Sequence, residues 1–213
     1  MNSLDIATKE LLRDIVQQVA ADESVRCVVL TGTGRGFCVG QDLKEHIELL
    51  RSGSSDELFT TVERHYNPIV TALATMPKPV IAAVNGVAAG AGASLAPACD
   101  MRVLADTAGF NFAFAGVALA ADTGASYHLP RLVGQAKALE LLYFPSTISA
   151  TESQALGPAN QGRPRRRARS DRGCPRHATC LGAHRRVPHR SASRWPSPRS
   201  TPSPTHSPTR ARP

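Results

Sequence analysis

The chain has 213 residues with 25 basic and 17 acidic side chains, a formal charge of +8 that is unevenly distributed. Residues 1–157 carry 11 basic and 16 acidic residues, whereas residues 158–213 carry 14 arginines, one acidic residue and ten of the 16 prolines. The second segment has too few apolar side chains to offset the entropy of ordering its backbone, which excludes one uniformly folded domain. We therefore predict a folded domain over 1–157 and a disordered basic tail over 158–213.

The sequence also carries information on the cellular location of the protein. The sequence has no apolar run of about 18 residues, so no transmembrane helix is expected. The first residues form neither a basic nor an apolar segment, which argues against a signal peptide. Five scattered cysteines do not form a disulfide framework. We expect a cytoplasmic protein that does not bind a membrane.

The N-terminal part of the folded domain is predicted to pass from a helix to a strand. Apolar residues recur every three or four positions over 4–21, which predicts an amphipathic helix with Lys9 on its exposed face. A short apolar run over 26–31 predicts a strand buried on both faces. A glycine-rich loop follows over 32–40.

The same alternation continues to the end of the predicted domain. A second helix should begin at Ser54 or Ser55 and kink at Pro68. The elements that follow are a strand over 80–84, a buried helix near 94–98, a strand over 100–104, helices over 126–133 and 135–143, and a last helix that Ser149 and Glu152 open with a capping box. Alternating strands and helices of this length predict a layered α/β fold.

Two glycine-rich loops are the strongest candidates for a functional site. Each follows a predicted strand and leads into a helix, over 29–43 and over 81–92. One backbone N–H from each loop can converge on a single oxygen, which is how an oxyanion hole is built. The alternative is that the glycines only permit turns and close packing of helix on sheet. Neither loop has the phosphate-binding pattern that ends in Gly-Lys-Ser/Thr.

These loops carry a family resemblance. The segments GFCVGQDL over 36–43 and NGVAAGAG over 85–92 resemble the paired signatures of the enoyl-CoA hydratase/isomerase (crotonase) superfamily. The segments PKPVIAAV over 77–84 and LPRLVG over 129–134 fit the family in order and spacing, and the resemblance extends over 2–157. It implies a partial crotonase-like spiral of ββα turns without its first strands. It also implies an acyl-CoA thioester as substrate in fatty-acid or aromatic-acid degradation, with coenzyme A entering as part of the substrate and no separate cofactor.

The resemblance also assigns site residues by position. The thioester enolate would be held by the backbone N–H groups of Gln41 and Ala91, and the third catalytic residue would be Asp122. The substrate-binding residues that it implies are Val39, Gly40, Gln41, Asp42, Leu43, Gly90, Ala91 and Phe114. No metal ligand is implied.

The acid–base residues differ from those of the hydratases. Ser94 and Phe114 stand where a hydratase has the two glutamates that activate water. A lone aspartate such as Asp122 resembles the subgroup that moves a double bond or rearranges a ring, and the same position is the nucleophile in related aryl-CoA dehalogenases. We therefore expect isomerase-like chemistry rather than two-glutamate hydration. The alternative role for Asp122 is an N-cap of the helix that follows it.

Other polar residues have simpler interpretations. His46, His65 and His128 lie on predicted helix faces, and Ser94 has no His–Asp partner at readable spacing for a serine triad. Cys38 is interpreted as a small packing residue. The cysteines and histidines at 174, 177, 180 and 184 have metal-like spacing, but a structural zinc site also needs a small fold around it, so no metal is expected.

Both ends of the resemblance lack parts of the family pattern. Family members usually begin with a strand pair before the segment at Asn2, and near Gly157 the match stops, with 158–164 in place of an expected strand. The composition beyond it is typical of GC-rich DNA read out of frame, so we interpret the tail as a frameshift product. The C-terminal helices that relatives use for homotrimer contacts and to close the site would be lost, so an impaired trimer and low activity are expected.

The alternative to an active enzyme is a catalytically inactive remnant or a basic interaction protein. The arginine cluster over 163–169 would bind nucleic acid only non-specifically, through phosphate charge. We therefore expect an acyl-CoA substrate and no specific nucleic acid partner.

Overall fold

The computed structural model describes residues 1–53, 60–163 and 180–181. Its helices are α1 (Ile6–Ala21), α2 (Leu43–Arg51), α3 (Asn67–Thr75), α4 (Ala91–Leu95), α5 (Ala125–Val133), α6 (Gln135–Tyr143) and α7 (Ala150–Leu156), with a π-helical turn over Val62–Tyr66 and a 3₁₀ turn over Ala115–Val117. Its strands are β1 (Val28–Thr31), β2 (Gly36–Cys38), β3 (Val80–Val84), β4 (Val87–Ala89), β5 (Met101–Ala105), β6 (Gly109–Asn111), β7 (Ile148–Ser149), β8 (Gln161–Arg163) and β9 (Cys180–Leu181).

The described strands form two sheets. One has the order β8-β5-β3-β1-β9 and is parallel except for β9, and the other has the order β2-β4-β6-β7 and is parallel except for β7. Three times in chain order, one strand of the first sheet is followed by one of the second and then by a helix: β1–β2–α2, β3–β4–α4 and β5–β6–α5. The predicted α/β fold, a crotonase-like spiral of ββα turns, is therefore confirmed.

The central strands bury alternate side chains. Val28 and Leu30 of β1 and Val80, Ala82 and Val84 of β3 are buried, and the residues between them are only partly covered. The expectation that β1 is buried on both faces was therefore wrong, because the sheet packs fully against the core on one side only.

Helix α1 begins two residues later than predicted and differs on its exposed face. Asp5 is the N-cap, and its side chain accepts a hydrogen bond from the Thr8 N–H at 2.8 Å. Leu4 lies outside the helix, in a parallel bridge with Gln41. Lys9 is only 1% exposed, so its predicted place on the exposed face was wrong. The residues around the π-helical turn contact α1 and provide polar partners that helical periodicity does not reveal.

The described part of the second predicted helix consists of the π-helical turn followed by α3. The Asn67 N–H donates to the Val62 carbonyl, five residues back. Pro68 follows this turn within a continuous helical stretch, and the wider π turn accommodates the missing N–H of the proline. The irregularity expected at Pro68 therefore takes the form of a π turn just before the proline. The predicted start at Ser54 or Ser55 lies outside the described residues.

The C-terminal boundary of the folded domain needs a correction. β8 pairs in parallel with β5, although no strand was expected there. The Asn160 N–H donates to the Arg102 carbonyl at 2.9 Å, and the Arg102 N–H donates to Asn160 Oδ1 at 2.7 Å. Ala159 is buried. This pairing uses mostly backbone groups, so the local composition does not reveal it. The rest of the predicted tail, except for β9, lies outside the described residues.

The second glycine loop contains a strand that was not predicted, and its helix begins early. β4 occupies Val87–Ala89, and α4 starts at Ala91 instead of near residue 94. All residues of α4 are buried. Small side chains let this short helix lie directly against β2.

We expect Gly92→Ala to destabilise the domain because of this close packing. A Cβ at Gly92 would lie 2.1 Å from the carbonyl oxygen of Cys38 in β2, and backbone cannot rotate away. Overpacking of this kind costs about 1–3 kcal/mol, and we expect at least that loss in the free energy of unfolding in a denaturant titration. As a control, Gly116→Ala has its nearest neighbour, Pro145 Cγ, at 3.8 Å and should stay within about 0.5 kcal/mol. Equal losses in both variants would contradict the packing argument.

Candidate active site

The two glycine-rich loops come together at the ends of β2 and β4. Gly40 has φ +84°, and a Cβ on it would lie 2.8 Å from the Ala89 carbonyl oxygen and 3.1 Å from the Ala91 nitrogen. Only glycine permits this conformation and this approach together. The first loop is thereby brought against the backbone N–H of Ala91.

Among the residues that the structure describes, the backbone N–H groups of Gln41 and Ala91 have no backbone partner at this junction. The Leu4 N–H donates to the Gly40 carbonyl at 2.8 Å, and the Asp42 N–H donates to the Leu4 carbonyl at 3.1 Å. In such a parallel bridge, Leu4 bonds to both neighbours of Gln41, and the N–H of Gln41 itself is directed to the other side. Ala91 is the first residue of α4, so its N–H has no partner within the helix.

A cavity of about 170 Å³ opens beside these loops. Its wall is mostly apolar and includes most of the residues predicted from the sequence: Val39, Gln41, Leu43, Gly90, Ala91, Phe114 and Asp122. The structure therefore brings together side chains from both loops and from the segments after β6.

Gly40 and Asp42, also predicted to bind substrate, do not line this cavity. Gly40 instead holds the two loops close together. The Asp42 side chain caps α2 by accepting from the Lys44 N–H at 3.0 Å, and it accepts from the Ser3 hydroxyl at 2.8 Å. That hydroxyl is the main cause that lowers the pKa of Asp42. These contacts give the Asp42 side chain a structural role, and its assignment to substrate binding stays a prediction.

Asp122 is the one carboxylate among the described residues of the cavity wall. Burial raises its pKa above the usual range of aspartate, and a hydrogen bond from the Thr123 hydroxyl at 2.8 Å partly opposes the rise. The alternative of an N-cap was wrong, because Gly124 is the N-cap of α5 and the Asp122 side chain bonds to Thr123 instead.

The backbone next to Asp122 is strained. Thr123 is buried and has φ +51°, a conformation that β-branched residues rarely adopt. Such strain persists only where the surrounding structure holds it, and it is found most often at functional sites. The hydroxyl of this strained residue is the group that donates a hydrogen bond to the Asp122 carboxylate.

The two positions where a hydratase has glutamates contribute no carboxylate. Ser94 is fully buried, and its hydroxyl donates to the Gly90 carbonyl at 3.1 Å, so it does not reach the cavity wall. Phe114 is 5% exposed and lines the cavity. A serine triad and a paired-carboxylate site are therefore both absent from the described wall.

Three further polar residues of the wall were not identified from the sequence. They are His46, Thr61 and Tyr66. The Tyr66 hydroxyl donates to Gln41 Oε1 at 2.6 Å, and burial, with a smaller effect of Asp122, raises the pKa of Tyr66 so that the phenol stays protonated. The amphipathic pattern alone places His46 on a helix face. The position of Tyr66 depends on the π-helical turn, for which the sequence has no local signal.

A cluster of polar side chains lies behind Gln41. Lys9 Nζ donates to Thr61 Oγ1 at 2.8 Å and to Gln41 Oε1 at 3.1 Å, and the Glu45 carboxylate is 3.9 Å away. Burial lowers the pKa of Lys9, and Glu45 opposes this shift. The Thr61 hydroxyl lies 3.0 Å from Nδ1 of His65, and burial, assisted by the Lys9 charge, lowers the pKa of His65.

The remaining candidates have structural surroundings. Cys38 is buried, and burial raises the pKa of its thiol to about 11, in keeping with the predicted packing role. His128 contacts the ring of Tyr127 and does not line the cavity.

Metal ligands and membrane-spanning helices are not found in the described part of the chain. Over residues 1–53, 60–163 and 180–181, no group of three or more His, Cys, Asp or Glu side chains is placed to hold a metal ion. The side chains of the metal-like spacing at 174–184 lie outside what the structure describes. No helix within the same ranges is long and apolar enough to cross a membrane.

Comparison with known proteins identifies relatives of this sequence and fold. The enoyl-CoA hydratase/isomerase family matches residues 1–169. The chain is 43% identical over 157 residues to the 1,2-epoxyphenylacetyl-CoA isomerase of Escherichia coli (strain K12), covering 74% of this chain and 60% of that protein. It is 34% identical over 161 residues to 4-chlorobenzoyl coenzyme A dehalogenase-2 of Arthrobacter sp., covering 73% of this chain and 57% of that protein.

The solved structures agree with the sequence comparison. The crystal structure of an enoyl-CoA hydratase from Polaromonas sp. JS666 superposes with a TM-score of 0.67 at 36% identity, covering 73% of this chain and 60% of that chain. The chain spans about 60% of the length of the curated relatives that it matches.

Proposed function

The chain belongs to the enoyl-CoA hydratase/isomerase family, and on that premise we propose that it binds an acyl-CoA thioester and moves a proton along the acyl group through an enolate. The observation that carries this proposal is one half-buried carboxylate, Asp122, in an apolar cavity that is also lined by Gln41 and Ala91, where Gly40 brings the first loop against the Ala91 nitrogen. The family that the two glycine motifs predicted is confirmed, and it is a family of enzymes.

The backbone N–H groups of Gln41 and Ala91 would bind the thioester oxygen. As a proton leaves the carbon next to the thioester, the electron pair moves onto that oxygen and produces an enolate. Two N–H donors in an apolar cavity stabilise this charge more than they stabilise the neutral carbonyl, which lowers the barrier. Because the loops are held together before substrate arrives, little reorganisation is needed.

Asp122 would act as the acid and base. Its carboxylate takes a proton from one carbon of the acyl group, and the carboxylic acid so formed returns the proton to another carbon of the enolate. The double bond shifts, and no proton is gained or lost overall. A raised pKa suits this role, because the same group must accept and then release a proton at similar pH.

Hydration does not fit this wall in its usual form. Adding water across a double bond with two carboxylates needs a second acid–base group beside Asp122, and Phe114 and Ser94 provide none. The chain is also similar to a protein named for isomerisation of a CoA thioester, which supports the same chemistry.

Turnover of two thioesters tests the proposal. We expect the full 213-residue chain in deuterated buffer to convert a cis-3-enoyl-CoA into the 2-enoyl isomer and to incorporate deuterium, even if slowly. We expect crotonyl-CoA to form no 3-hydroxyacyl product. Hydration of crotonyl-CoA at a higher rate than isomerisation would contradict the proposal. The absence of both turnover and deuterium exchange would favour an inactive remnant.

A further inference from the structure

Lys9 is a buried ammonium group next to the proposed oxyanion-binding loop. It is 1% exposed, and its partners are Gln41 Oε1, Thr61 Oγ1 and, more distantly, the Glu45 carboxylate. A buried charge costs free energy unless it is paired and hydrogen-bonded. A methionine or leucine would fill the same space without this cost, so stability alone does not account for a lysine here.

The contacts of Lys9 determine the orientation of the Gln41 side chain. Gln41 Oε1 accepts one hydrogen bond from Lys9 at 3.1 Å and a second from the Tyr66 hydroxyl at 2.6 Å. Turning the amide over would place its NH₂ group against the Lys9 ammonium, which can only donate, so Lys9 makes one orientation favourable. The backbone on both sides of Gln41 is held by Leu4. The side chain and the main chain of Gln41 are therefore fixed by different contacts.

A second cavity gives the Gln41 side chain space to move into. This polar cavity has a volume of about 300 Å³ and lies beside α1 and the π-helical turn. Gln41 and Thr61 line both this cavity and the apolar one, so they separate the two. Lys9 bonds to both of these residues. Gln41 and Thr61 stand between the apolar cavity and the polar one. Without the Lys9 ammonium group, these two residues would lose the contact that joins them.

We propose that Lys9 is a positioning residue of the apolar cavity, acting by holding the Gln41 side chain in the wall that separates this cavity from the polar one. This inference rests on the proposed function, because it takes the apolar cavity to be the place where the enolate forms. Lys9 itself does not line the apolar cavity. Its effect on the reaction is therefore transmitted through Gln41.

The test compares Lys9→Met with Arg13→Met in the full chain. Methionine fills the space without a donor, and Arg13 is a cation one turn along α1 that is paired with Asp14 at 2.9 Å. We expect Lys9→Met to lower kcat for isomerisation about 10-fold to 100-fold with little change in KM, because a displaced Gln41 side chain would open the apolar cavity to the polar one, and water there weakens the electrostatic stabilisation of the enolate. We expect Arg13→Met to keep the wild-type kcat. Equal kcat in Lys9→Met and wild type would overturn the inference.

A spectroscopic measurement separates this inference from the proposed function. Acetoacetyl-CoA forms an enolate that absorbs in the ultraviolet, and an oxyanion hole increases the enolate fraction of the bound thioester. We expect this absorbance with wild type and a weaker one with Lys9→Met. If wild type binds no enolate, the proposed function fails and this inference fails with it. If both proteins bind the enolate equally, only the role of Lys9 is wrong.

A double-mutant cycle excludes a merely structural role. Gln41→Met keeps the backbone N–H but removes the side-chain amide. If Lys9 acts through that amide, adding Lys9→Met to Gln41→Met should lower kcat no further, whereas independent effects would multiply. If Lys9→Met does not fold, Lys9→Gln replaces it in the same cycle, since its shorter side chain keeps a polar group but loses the bridge to Thr61. Multiplying losses in either cycle would overturn the inference.

Discussion

Asp122→Asn should remove most of the proton transfer and leave the fold intact. The asparagine oxygen can still accept the hydrogen bond that the Thr123 hydroxyl donates to Asp122 Oδ1 at 2.8 Å. The amide cannot accept a proton from carbon, and loss of a general base typically costs about 10²–10⁴-fold in rate. We expect a loss of this size in deuterium exchange and in isomerisation. The control is Asp106→Asn, an exposed aspartate outside the cavity, which should keep the wild-type rate.

The pH dependence of the rate provides a second test of Asp122 as the base. Burial raises the pKa of Asp122, so the rate should increase with pH over a range above that of an ordinary aspartate, as the carboxylate forms. This increase of the rate with pH should be absent from Asp122→Asn. If the wild-type rate instead increased around the usual aspartate pKa, or if the variant showed the same increase, another group would be the base.

The same shift determines the effect of Asp122 on stability. The pKa of Asp122 is higher in the folded state than in the unfolded state. The protonated carboxyl therefore contributes its full stability below the unfolded-state pKa, and this stability is lost as the pH rises through the folded-state pKa. At neutral pH the buried carboxylate is therefore a net cost. We expect Asp122→Asn to be at least as stable as wild type at pH 7, so a loss of rate in this variant does not come from unfolding.

Ala91→Pro should have the other large effect, because it removes one of the two N–H donors. Ala91 is the first residue of α4, a position where proline is well tolerated by helices. Loss of one oxyanion-hole donor typically costs about 10²–10³-fold in kcat. We expect a fall of that size in kcat, larger than any rise in KM. A soluble variant that keeps the full rate would show that the Ala91 N–H does not bind the thioester oxygen.

The matched control for this change is Gln135→Pro. Gln135 is the exposed first residue of α6 and does not line the cavity. Both variants place proline at the same position of a helix, so they share the effect of the ring on the backbone. We expect Gln135→Pro to keep the wild-type kcat. A comparable loss in both variants would mean that the effect arises from the helix rather than from the missing donor.

Local patterns in the sequence were sufficient for much of the fold and for the two loops. The predicted helix over 135–143 is present with those bounds, and the capping box of Ser149 and Glu152 opens α7 as predicted. Both signals depend on residues three or four positions apart, and the structure keeps those spacings in any context. The loops at Gly40 and Gly90 were recognisable for a similar reason, since few residue types permit a positive φ beside a strand.

Only the tertiary structure decided which polar residues meet at the site. Lys9 has the spacing of an exposed helical residue, yet α1 lies against Thr61, whose hydroxyl accepts its hydrogen bond from 52 positions along the chain. Tyr66 reaches Gln41 because a π-helical turn precedes α3, and β8 forms because the edge of β5 is open to it. Periodicity reports the local conformation of one segment. These contacts depend on which segments pack together, which is determined by the burial of the whole core and by the satisfaction of backbone groups across the sheets.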